Sequence, residues 1–117
     1  MSELDKVFGE LAEKRAQQDR ERRERQKIAA DFLTEFFAND IAPSQTLRGR
    51  GITAQFSDNR LVLHRPQAEH YAEPLQIVVG EQGEIDIGGR SLGRYQVDQK
   101  LAKKRELIDE IISFFDL

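Results

Sequence analysis

The sequence predicts a two-layer α+β domain in which helices at both ends of the chain cover one face of a four-stranded antiparallel sheet, in the order α-β-β-β-β-α. Apolar residues recur at helical spacing near each end of the chain. Between residues 52 and 87 they alternate with polar residues instead, which is typical of half-buried strands. The alternation leaves only one sheet face apolar, so both helices belong on that face.

The first helix is predicted from about Glu3 to Ala38, with Ser2 and Asp5 placed to stabilise its first turn. Its apolar positions form two groups: Leu4, Val7, Phe8 and Leu11, and then Ile28, Ala29, Phe32, Leu33, Phe36 and Phe37. The segment between them, residues 13–27, is charged on all sides and offers nothing to bury. The sequence therefore predicts a protruding charged helical segment over residues 1–27 and a compact α+β domain over residues 28–117.

The strands are predicted as two hairpins. A two-residue turn at Asp58–Asn59 would place Phe56 opposite Leu61 and Ala54 opposite Leu63, so that both pairs are apolar on the same face. Residues 75–79 and 85–87 form the second hairpin around the turn 80–83. A short fifth strand near residues 95–97 is compatible with the pattern, and the polar stretch 65–74 predicts a loop.

The last helix is predicted to begin at Asp98, which can serve as its N-cap. Its apolar positions recur at helical spacing and predict a buried stripe made of Leu101, Leu107, Ile108, Ile111, Ile112, Phe114 and Phe115. Charged residues, among them Lys103, Lys104 and Arg105, occupy the other positions, so this helix also has one face for the sheet and one for solvent.

Composition excludes several classes of protein. The 117 residues suffice for one domain, and the absence of cysteine excludes disulfides, thiolate metal sites and cysteine nucleophiles. No apolar run approaches the ~20 residues of a membrane span, and no signal-peptide pattern is present, so we expect a cytoplasmic protein without membrane contact. A net charge of −3, from 18 basic and 21 acidic residues, favours neither general nucleic-acid affinity nor an acidic tail.

Two segments resemble sites only weakly. His64 lies at a strand end and His70 within the following loop, near Glu69 and Glu73, but their spacing matches no metal motif, and we interpret them as surface histidines. A hydrolase or metal enzyme built around these two histidines is the third and weakest hypothesis. The segment Gly88–Arg94 lacks the Lys-Ser/Thr pair of a phosphate-binding loop and reads as a glycine turn. Arg48 and Arg50 are interpreted as charges that flank the edge of the first strand. No catalytic triad, carboxylate pair or cofactor fingerprint is present, so the sequence predicts no enzyme, cofactor or metal.

The charged helix supports the leading hypothesis, a non-catalytic protein-protein interaction module that docks on a partner or pairs with a second copy. The residues expected to make the contact are Leu4, Val7, Phe8 and Leu11. A homodimer could form by antiparallel helix pairing or by exchange of this segment. The alternative hypothesis is an RNA- or DNA-binding regulator that uses Arg20, Arg22, Arg23, Arg25 and Lys27. It is less favoured, because Asp19, Glu21 and Glu24 interleave with these basic residues.

Overall fold

The computed structural model describes residues 2–66 and 73–117 and confirms the predicted α+β class. Its helices are α1 (Glu3–Phe36), α2 (Gln45–Gly49) and α3 (Lys100–Phe115). Its strands are β1 (Thr53–Ser57), β2 (Arg60–His64), β3 (Leu75–Val79), β4 (Glu84–Ile87) and β5 (Arg90–Arg94). The loop predicted at residues 65–74 lies partly outside the described residues.

The five strands form one open antiparallel sheet in chain order, β1-β2-β3-β4-β5. The register of the first hairpin is as predicted, with Phe56 opposite Leu61 and Ala54 opposite Leu63. Asp58 makes the tight turn possible with a φ of 53°, a conformation that aspartate tolerates better than most residues. The pattern continues into β3, where Ile77 lies opposite Leu61, so one face remains apolar across the central strands.

The fifth strand lies earlier than predicted, at Arg90–Arg94 rather than near residues 95–97. Gly88 and Gly89, with φ values of 58° and 83°, reverse the chain directly after β4. Only Leu92 of β5 is partly buried, so this edge strand has no alternation that reveals it. Tyr95 belongs to the core instead, where its ring stacks on Phe32 at a centroid distance of 4.4 Å.

The core lies between the two long helices and the apolar sheet face. α1 contributes Ala29, Phe32, Leu33 and Phe36, and α3 contributes Leu107, Ile111 and Phe115. The sheet supplies buried side chains from its three central strands: Leu61, Leu63, Leu75, Ile77, Val79, Ile85 and Ile87. Thr53, Gln55 and Gln76 on the opposite face are exposed, which confirms that both helices share one side.

The helix ends differ from the prediction. α1 stops at Phe36 rather than Ala38, and a π-helical turn, Phe37–Ile41, continues it. The unpredicted α2 is capped by Ser44, whose hydroxyl accepts a hydrogen bond from the Leu47 amide at 3.2 Å. A 3-10 turn that includes Asp98 precedes α3, so Asp98 is not the N-cap; that position belongs to Gln99.

α3 buries a narrower stripe than predicted. Leu101 is 80% exposed, and Ile112 and Phe114 are about half exposed, because only one side of α3 meets the core. Lys103 is buried in their place, and its Nζ donates a hydrogen bond to the Leu92 carbonyl at 2.7 Å. Its aliphatic stem packs like an apolar side chain while the ammonium group finds a polar partner at the edge strand.

We predict that replacing either Phe36 or Phe115 with alanine lowers the free energy of unfolding by ~3–5 kcal/mol, because each change opens a cavity in the core. The two rings are 2% and 7% exposed. Phe114→Ala is the matched control, since its ring is 47% exposed and its loss should cost less than ~1 kcal/mol. Urea denaturation followed by circular dichroism measures all three. Losses below ~1 kcal/mol at both Phe36 and Phe115 would contradict this core.

Candidate functional site

The N-terminal part of α1 stands away from the rest of the domain. Every residue from Ser2 to Glu21 is exposed, whereas Arg22 and Arg25 are partly covered. α1 is about 51 Å long at 1.5 Å per residue. It gives the molecule a length of 69 Å against a width of 30 Å and a depth of 19 Å. The helix start is well formed, with the Ser2 hydroxyl accepting a hydrogen bond from the Asp5 amide at 3.1 Å.

An apolar surface lies at the free end of this helix, and we call it the tip patch. It consists of the predicted contact residues, whose exposed fractions are 78%, 42%, 69% and 48% for Leu4, Val7, Phe8 and Leu11. No other segment of the described chain covers them. Their spacing of i, i+3, i+4 and i+7 places them on one side of the helix. The tip patch is therefore one continuous surface rather than four scattered side chains.

The tip patch points in the same direction as the core-facing side of α1. Leu11 precedes Ala29 by about five helical turns, and Leu4 and Val7 precede Leu33 and Phe36 by about eight turns. Whole numbers of turns return a side chain to the same side of an unbroken helix. The charged segment between the two apolar groups suggests that they are separate, but their spacings of 18 and 29 residues are the sequence signal of this alignment.

α1 meets the rest of the domain at Arg22 and Arg25. The Arg22 guanidinium lies 3.6 Å from the carboxylate of Asp19 and 3.9 Å from the carboxylate of Glu81. Arg25 Nη2 donates a hydrogen bond to the side-chain oxygen of Gln82 at 3.0 Å. Two of the five basic residues of the nucleic-acid hypothesis thus contact the turn between β3 and β4. We call the part of the chain from Arg22 onward the body.

The same turn approaches the backbone of α1 through Gly83. This residue has a φ of 77°, and a Cβ placed on it would lie 2.7 Å from the carbonyl oxygen of Arg25. Real side chains do not approach a backbone atom that closely. Glycine at this position therefore allows the turn to pack directly on the helix, and it marks the point where α1 leaves the body.

The remaining basic residues of that set, Arg20, Arg23 and Lys27, are exposed. At 100° per residue they lie on the side of α1 opposite Ala29, and so they point away from the core. The structure consequently divides the five residues into two groups. Arg22 and Arg25 contact the body, and the other three form a small basic surface on the outer side of the helix.

A second set of polar contacts holds α3 against the end of α1. Lys100 Nζ lies 2.6 Å from Glu35 Oε1, and Lys104 Nζ lies 2.9 Å from Asp40 Oδ2. The hydrogen bond to Glu35 stabilises charged Lys100 and raises its pKa above the usual value. Burial raises the pKa of the neighbouring Tyr95 hydroxyl. The four charged groups hold one helix against the other around a cavity of only about 20 Å³, which has room for about one water molecule and none for a substrate.

The other segments considered from the sequence, around the two histidines, the glycine turn and Arg48, do not form a binding or catalytic site among the described residues. His64 is partly buried on the outer sheet face, beside a shallow cavity of about 240 Å³, and His70 lies outside the described residues. Within residues 2–66 and 73–117, no three metal-binding side chains converge. The predicted glycine turn at Gly88–Arg94 is a turn only at its two glycines and an edge strand beyond them. Arg48 donates a hydrogen bond to the Ala42 carbonyl at 2.8 Å.

Comparisons with known proteins give no further information. No protein-family model matches the chain, and searches of curated proteins and of solved structures found no match. In the described part of the chain, none of the helices combines the length and the apolar character that crossing a bilayer requires.

We predict that Gly83→Ala lowers the free energy of unfolding by ~1–3 kcal/mol more than Gly89→Ala does, because only the first change forces the turn away from α1. Both glycines have positive φ values, 77° and 83°, so the backbone strain of the two variants is matched at ~1–2 kcal/mol. A Cβ at Gly89 would meet nothing within 4 Å. Thermal or urea unfolding provides the comparison, and equal losses would show that the turn and α1 are not in close contact.

Proposed function

We propose that this protein is a non-catalytic protein-protein interaction module whose tip patch binds another polypeptide chain. The observation that carries the proposal is the position of four exposed apolar side chains at the end of a helix that extends about 28 Å beyond the body. The helix holds them away from the chain's own core. Contact with a second chain is the direct way to remove them from water.

The energetic reason is the hydrophobic effect. Full burial of a leucine, valine or phenylalanine side chain yields ~1.5–3 kcal/mol, so four such side chains can offset part of the entropic cost of association. The spacing of Leu4, Val7, Phe8 and Leu11 matches the i, i+3, i+4, i+7 anchors by which helices bind apolar surfaces of partner proteins. The charged residues around the patch would then select the partner more than add affinity.

An RNA- or DNA-binding regulator is the second candidate, and one observation favours it. Arg20, Arg23 and Lys27 share the exposed outer side of α1 and are free to meet phosphates. Glu24 lies on the same side, and Arg22 and Arg25 already contact Glu81 and Gln82. Three basic residues beside an acid make a weak phosphate surface. This candidate therefore ranks below protein binding.

Site-specific photo-cross-linking tests the proposal. A photoreactive benzophenone amino acid replaces Phe8 in one variant and Ala16 in the control, where Ala16 is exposed and lies outside the tip patch, about 140° around the helix axis from Leu11. Illumination in cells should give a discrete protein adduct from position 8 and none from position 16. Leu4→Ser with Leu11→Ser in the same chain should remove the adduct, because the apolar surface is lost.

Three outcomes decide between the candidates. A protein adduct that depends on the tip patch supports the interaction module, whatever the identity of the second chain. Adducts that disappear on nuclease treatment, and binding that weakens steeply as salt rises, would support nucleic-acid binding instead. Adducts of equal yield from both positions, or none from either, would show that the tip patch is not a binding surface.

A further inference from the structure

We propose that the tip patch is covered by a second copy of this chain, through antiparallel pairing of two α1 helices over residues 4–21. This inference rests on the proposed function and adds the partner, the direction and the register. Three features of α1 carry it: the point where the helix meets the body, the direction in which the tip patch points, and the side chains on the two flanks of the paired surface.

The body selects the antiparallel direction. Arg22 and Arg25 follow Leu4 and Val7 by 18 residues, or five helical turns, so the turn between β3 and β4 that they contact lies on the tip-patch side of α1. In a parallel pair both copies would place this turn in the same space. Charge adds little to the choice of direction, because residues 4–12 carry a net charge of −1 and residues 13–21 a net charge of zero.

The body sets the register. Because the tip patch points in the core-facing direction, a partner helix that covers it lies on that side of α1 and runs toward the body. There it meets the turn between β3 and β4, which contacts Arg22 through Glu81. The free overlap therefore ends at Glu21. This places Leu4 level with the partner's Glu21 and puts the two-fold axis between Ala12 and Glu13.

In this register each apolar side chain of the tip patch meets a long polar side chain. Leu11 lies level with the partner's Lys14, Val7 with the partner's Gln18, and Leu4 with the partner's Glu21. Each of these three has a methylene stem that can cover an apolar neighbour while its polar end reaches water. The pairing therefore removes the tip patch from water without burying an unpaired charge.

The two flanks of the paired surface are also complementary. Phe8 and Arg15 lie on one flank of α1, and Glu10 and Lys14 lie on the other. In an antiparallel pair each flank faces the same flank of the second helix. Phe8 then lies beside the partner's Arg15, an arrangement suited to a cation–π contact. Glu10 lies beside the partner's Lys14 and can form an ion pair, and the two-fold axis repeats both contacts.

The size of the contact predicts a weak, reversible dimer. An overlap of 18 residues is about 27 Å long and about 10 Å wide, which gives roughly 270 Å² of contact strip on each chain. A standard stable interface buries ~800 Å² per partner. Dimers should therefore form only at high micromolar concentrations and above, and salt should weaken them modestly through the flanking charges.

Because the chain has no cysteine, single cysteines can report the pairing without background. Val7→Cys protein is mixed with Gln18→Cys protein at high micromolar concentration and oxidised under mild conditions. A disulfide requires Cα atoms within ~7 Å, so we expect the mixed 7–18 disulfide dimer to exceed by about tenfold the product of the control mixture, Val7→Cys with Ala16→Cys. Ala16 is close to Gln18 in the chain but lies on the opposite side of the helix.

Each result supports or overturns the pairing. A dominant mixed 7–18 dimer supports the antiparallel register, and Leu4→Ser with Leu11→Ser in both chains should abolish it. A dominant Val7→Cys homodimer would indicate parallel pairing and overturn the proposal, as would equal yields from the test and control mixtures. If the disulfide fails while the photo-cross-link at position 8 captures a different protein, self-pairing is wrong but the interaction module stands. If both fail, both proposals are wrong.

Discussion

The rest of the structure depends on the continuity of α1. One helix of 34 residues has its last turns in the core and its first turns in solvent, with no proline between them. Packing of Ala29, Leu33 and Phe36 against the sheet fixes the rotation of the whole rod about its axis. The direction of the tip patch is thereby set by side chains that lie several turns away. A break in the helix would free the tip patch from this constraint.

Because only one face of the sheet is apolar, the direction of the tip patch determines where a second helix can bind. Both helices must share the apolar face of the sheet, because the other face carries Thr53, Gln55 and Gln76 in contact with water. α1 lies on this face and projects past the turn that contains Gly83. The space beside the tip patch is therefore bounded at one end by the body and open at the other. A second helix can enter it from the open end, and its length of overlap is limited by the turn.

The sequence predicts a structural element correctly where the local pattern of apolar residues matches the burial of those residues in the fold. The first hairpin was correct because alternation and a two-residue turn at Asp58–Asn59 allow one register. β5 was missed because an edge strand that buries only Leu92 shows no alternation. Lys103 was placed outside because the pattern treats lysine as polar and ignores its stem. At the candidate site the helical spacing of Leu4, Val7, Phe8 and Leu11 is visible in the sequence, but the contacts of Arg22 and Arg25 with the β3–β4 turn required the fold.

The central claim is that the first turns of α1 are covered by a second chain rather than by their own. A polar helix without tertiary contacts is only marginally stable in water, so its amides should exchange readily in the monomer. Amide hydrogen exchange over a range of protein concentrations measures this directly. If a second chain covers these turns, protection of residues 3–21 rises with concentration while protection of residues 29–36 stays constant. Protection of residues 3–21 that does not change with concentration would contradict this claim.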